Sequence, residues 1–110
     1  MRTIHKYRTD LNRHELNESG KMQFDFKLPE SFEVVDAEIY DNSRHSSVSI
    51  ALWINVNTND EVSTRTFDIV STGSELPEYE CGFRFIKTVH ASDRTYHIIL
   101  KNEENDKRYR

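Results

Sequence analysis

The stretch Val48-Ser49-Ile50-Ala51-Leu52-Trp53-Ile54-Asn55-Val56 decides the fold. Val48, Ile50, Leu52, Ile54 and Val56 recur at every second position. Successive side chains of an extended strand point to opposite faces, so this run is a strand with one continuous apolar face. Ser49, Ala51, Trp53 and Asn55 occupy the other face. The polar run Asn57-Thr58-Asn59-Asp60-Glu61 follows. Asn and Asp bond their own backbone and favour turns. The next strand is expected from Val62 to Ser71, carrying Phe67 and Ile69. So short a link predicts an antiparallel hairpin between the two.

The same period extends outward in both directions. Met22, Phe24, Phe26 and Leu28 alternate with polar residues until Pro29, which cannot donate to a sheet ladder. Phe32 to Tyr40 reads as a strand with Val35, Ala37 and Ile39 inward and Asp36 and Glu38 outward. Thr3 to Arg8 is a first strand, with Ile4 and Tyr7 as anchors, and Leu11 to Lys21 is a loop or short helix. Gly73 marks a break, and a short helical turn fits between Ser74 and Gly82. Phe83 to His90 and Thr95 to Leu100 form a hairpin around Ala91-Ser92-Asp93-Arg94. With Thr95 opposite His90, one face gathers Phe83, Phe85, Val89, Tyr96, Ile98 and Leu100. Lys87 breaks that face, as an inward charge at a sheet edge does. The opposite face carries Ile86 and Ile99 and needs cover from the chain or a partner.

About seven strands with almost no helix predict a small antiparallel β-sandwich or partly open barrel. Residues 1–100 form a single β domain, and 101–110 a charged, flexible tail.

Composition bounds the function. Hydrophobic residues are 35% and charged residues 31%, which gives a compact core under a charged surface. A net charge of −4 lacks the basic excess that a nucleic-acid partner asks for. No apolar run approaches the roughly 20 residues of a membrane helix, and the polar first ten residues are no signal peptide. Cys81, the single cysteine, permits no internal disulfide and suits a reducing compartment.

Catalytic and metal chemistry finds little footing. His90 and His97 fall on one face as a diagonal pair, short of the three or four ligands zinc takes. His5, His14 and His45 sit among polar neighbours and read as solvated. Glu78 and Glu80 precede Cys81 and oppose thiolate formation. Asp36 with Glu38, and Glu103 with Glu104, lie in wet contexts that leave acid–base pKa values untuned. No metal and no cofactor is expected. The candidate binding residues are Trp53, Arg65, Thr72, Gly73 and His97. Trp53 and Arg65 belong to types enriched at binding hot spots, and each also suits the cap of a second small core.

The chain also resembles a family of small uncharacterised proteins of tailed bacteriophages. The residues that carry the likeness are Ile4-His5-Lys6-Tyr7, Phe26-Lys27-Leu28-Pro29, Leu52-Trp53, Arg65-Thr66-Phe67, Ser71-Thr72-Gly73, Phe85-Ile86-Lys87-Thr88 and Tyr96-His97, in that order. It departs from the family pattern at Ser74, Lys87 and Tyr96, where the family has His, Gly and Trp, and in a longer span between the first two strands. The resemblance implies a phage origin, a host-cytoplasmic or virion setting, and no assigned reaction. The leading expectation is an accessory protein, not an enzyme, that binds a host or anti-phage defence protein. A minor virion component forming homo-oligomers and a protein that sequesters a small ligand such as a nucleotide are the alternatives. For the last, Arg65, His97 and the Thr72-Gly73 loop would form the site.

Overall fold

The computed structural model describes residues 1–41, 46–91 and 94–103. Among these lie seven strands and one helix: β1 (Arg2–Asn12), α1 (Arg13–Ser19), β2 (Lys21–Pro29), β3 (Phe32–Asp41), β4 (Ser47–Asn57), β5 (Val62–Ser71), β6 (Phe83–Ala91) and β7 (Arg94–Lys101). They form two antiparallel sheets, ordered β1-β4-β3 and β2-β5-β7-β6. The sheets stack as an open sandwich, as expected. His45, the turn residues Ser92 and Asp93, and 104–110 of the expected tail lie outside the described residues. Residues 101–103 are not frayed: Lys101 ends β7 and Asn102 is buried, bonding through Nδ2 to the Cys81 carbonyl.

The apolar stripe of β4 is the centre of the core. Ile50, Leu52, Ile54 and Val56 have no exposed surface. Facing them, Phe24 and Phe67 stack at 5.5 Å between ring centroids, and Phe26 meets both edge-on. Tyr7 closes this cluster against Phe26. Ile4 falls on the opposite face of β1 by parity and is exposed on the outside.

The expected β4–β5 hairpin does not form. Both edges of β4 are taken by β1 and β3, so the chain crosses to the other sheet, where β5 pairs with β2 and β7. A second crossing, β2 to β3, lies beside it. Backbone bonds from Glu30 N to Glu61 O and Asn57 N to Ser31 O lace the two together, and Asp60 caps Ser31 N. At the other end, α1 carries the chain between sheets. Asn12 caps it by accepting from Glu15 N, Gly20 ends it with φ 74°, and Leu16 is fully buried beneath it. No helix forms in 74–82, only a turn at Glu80-Cys81. Among the described residues no helix is long and apolar enough to cross a membrane.

Two bulges change the parity of the edge strands. In β3 the register shifts between Val34 and Asp36, which throws Val35 outward, 47% exposed, against the expectation that it faces inward. In β6 the shift falls between Phe85 and Lys87. One extra residue reverses every side chain beyond it. Ile86 therefore turns toward the core, while Phe83 and Phe85 stand outside, 43% and 55% exposed. The expected face of Phe83, Phe85, Val89, Tyr96, Ile98 and Leu100 holds only for the last four. Lys87 does lie at an edge: it forms an ion pair with Asp36 of β3, joining the two sheets along one side.

Candidate functional site

The outer face of the four-stranded sheet carries two exposed phenylalanines. Phe83 and Phe85 point outward from edge strand β6, with Lys101 and Ile99 opposite them on β7. The loop 72–82 folds back over part of this face. Its Tyr79 donates to the Asp68 carboxylate at 2.7 Å and packs its ring 5.1 Å from Phe83. Burial, and then the Asp68 carboxylate, push the Tyr79 phenol well above its ordinary value. Asp68 pairs with Ile99 in the ladder, and Ile99 is buried. The cover that the sequence demands for Ile99 thus comes from the chain itself; it reaches Phe83 only in part and leaves Phe85 exposed.

His97 lies at the other side of Phe85, with ring centroids 6.3 Å apart. Its Nε2 stands 2.9 Å from Thr72 Oγ1 and its Nδ1 2.9 Å from Thr88 Oγ1. Thr72 gives its own hydroxyl proton to the Thr95 carbonyl. Both ring nitrogens are used in tying β6, β7 and the start of the loop together. Chemically, His97 is a brace with an aromatic face to offer. Beside it, Ser71, Thr72, Arg94 and Thr95 line an open depression of about 360 Å³. Gly73, at φ 91°, forms the rim turn.

Of the sequence-derived candidates, the fold brings together Thr72, Gly73 and His97. Trp53 lies on the outer face of the other sheet, half-buried, with Lys6 Nζ 5.4 Å above its ring. Arg65 faces inward and is buried, its guanidinium 5.0 Å over the Phe32 ring and its Nε 3.8 Å from Glu103. It caps the core and takes no part in a surface with His97. His90 and His97 do share the outer face, and His90 bonds Thr95. Among the described residues no group of three or more His, Cys, Asp or Glu is placed to hold a metal ion. The sequence reading missed Phe83 and Phe85 as surface residues. The only signal was Lys87, whose charge is out of phase with the apolar face and marks the bulge just before it.

A family model described as a domain of unknown function, DUF7352, matches residues 1–108. The chain belongs to the DUF7352 family. No curated protein and no solved structure matches it.

Proposed function

We propose that this DUF7352 chain acts by binding another protein, and that the Phe83–Phe85 strip with Tyr79 and His97 is its contact surface. The observation that carries this is the bulge-driven exposure of two phenylalanines side by side on an edge strand. Large apolar side chains in a contiguous exposed patch mark interaction sites, and aromatic anchors dominate binding energy. The hydroxyls and ring nitrogens nearby are already bonded to one another, which favours contact over chemistry. The resemblance to small phage proteins supports a setting in the infected cell's cytoplasm, with a host or anti-phage defence protein as the partner.

The test is affinity capture from infected-cell lysate with two baits, the wild-type chain and a Phe83→Ser/Phe85→Ser variant of matched stability. A partner retained by the first and lost by the second is expected. Equal retention by both baits, or no retention by the wild type, overturns the reading.

A further inference from the structure

The outer face of β1-β4-β3 is polarised. By register, the rows across it are Ile4–Asn55–Glu33, Lys6–Trp53–Asp36, Arg8–Ala51–Glu38 and Asp10–Ser49–Tyr40. Arg2, Lys6 and Arg8 project from β1, and Glu33, Asp36 and Glu38 from β3; all six are exposed. Between them β4 shows Trp53 and the small residues Ala51 and Ser49, flanked by these long side chains. In the Lys6 and Arg8 rows the β1 edge is basic and the β3 edge acidic; in the fourth row, Asp10 accepts from Ser49 and lies 3.6 Å from Arg8, and in the middle Lys6 lies over the Trp53 ring.

We propose that two copies of this chain pair through this face, about a two-fold axis parallel to the strands. Such an axis over β4 carries each row onto itself and exchanges the edges. Lys6, lying over the Trp53 ring, then faces Asp36 of the second copy, whose carboxylate also holds Lys87 of its own chain, and Arg8 faces Glu38, with the two Trp53 side chains meeting at the axis. The other in-plane axis, across the strands, would set β1 on β1 and bring Lys6 and Arg8 against each other. Like charges directly opposed are destabilising, so the charge pattern selects the first. Three strands about 4.8 Å apart and about 11 residues long at about 3.4 Å each present roughly 500 Å², so the pair buries roughly 1,000 Å². That is the size of a weak, salt-sensitive dimer. The inference stands apart from the Phe83–Phe85 reading, since that strip lies on the opposite sheet and stays outward on both copies.

Sedimentation equilibrium at roughly 100 μM in low salt reads the mass at a concentration that populates an interface of this size. Trp53, the single tryptophan, reports the contact directly through its emission. The expected result is a dimer whose tryptophan emission shifts to the blue with concentration and which dissociates in about 1 M salt, where screening reaches about 3 Å. Arg8→Glu and Glu38→Arg should each weaken the dimer at least about tenfold, because like charges then face at both symmetric positions. Mixed, the two variants should recover it. The carboxylate introduced at position 8 of one copy then faces the guanidinium introduced at position 38 of the other, and the unaltered Glu38 and Arg8 face each other. This cross-rescue also shows that both variants fold. A wild type that stays monomeric in low salt overturns the proposal. So does a wild-type dimer that either variant leaves intact, or that the mixture fails to restore.

Discussion

The outward placement of Phe85 predicts a small stability change where strict alternation predicts a large one. Phe85 retains 55% of its surface in water. A phenylalanine has about 200 Å² to hide, so about 90 Å² is covered at this position. Threonine keeps the β-branched fit to a strand and about half of that cover. The remaining loss of about 45 Å² is worth about 1 kcal/mol at about 25 cal/mol/Å². Phe67 has no exposed surface and stacks on Phe24, so Phe67→Ala should cost about 3–5 kcal/mol through lost transfer energy and the cavity left behind. Urea unfolding followed by Trp53 emission measures both on one scale. Phe85→Thr should move the midpoint slightly at constant slope, and Phe67→Ala should move it several-fold further. A Phe85→Thr cost equal to that of Phe67→Ala would place Phe85 inside, do away with the bulge, and take the proposed contact strip with it.

Other consequences are direct. Tyr79→Phe leaves the buried Asp68 carboxylate without its phenol donor and should cost about 1–3 kcal/mol. Because the Tyr79 phenol is raised above its ordinary 10.0, the unfolded chain releases that proton first; wild-type melting temperature should therefore fall as pH climbs past 10.0, more steeply than in Tyr79→Phe. Lys87 lowers the Asp36 carboxyl through its hydrogen bond, with the Ala37 amide adding to this, so stability from this pair is present above the ordinary 3.8 and is lost as pH falls below it. Lys87→Met should return the Asp36 titration, followed by carboxyl NMR, toward that ordinary value. Gly20→Ala would drive a Cβ into Ser74 Oγ at φ +74°, whereas a Cβ at Gly73 meets open space. Both bear the left-handed penalty of about 1 kcal/mol, and Gly20→Ala should cost measurably more in a urea melt.

Much of the fold is legible from side-chain alternation. A period of two over Val48–Val56 can bury only one face, so β4 was bound to be a strand on a core wherever it lay. The β6–β7 register, His90 opposite Thr95, follows from matching the apolar residues across a short turn, a local problem with one good answer. The site was less legible. Thr72, Gly73 and His97 come together because β5 and β7 pair, a contact set by strands far apart in the chain. Trp53 and Arg65 look alike in the sequence as large residues on a second face, yet one lies outside a sheet and the other caps the core.

What the sequence determined by itself is which residues alternate and therefore which segments are strands. That property depends only on neighbours two positions away. The tertiary structure alone decided who pairs with whom, and where the count slips by one. β5 had to leave β4 because β1 and β3 already saturate both of its backbone edges, which no local pattern records. A bulge costs one ladder position and is repaid only when a residue such as Ile86 gains a core to enter, built from both sheets, and Lys87 gains Asp36 of the other sheet across the gap.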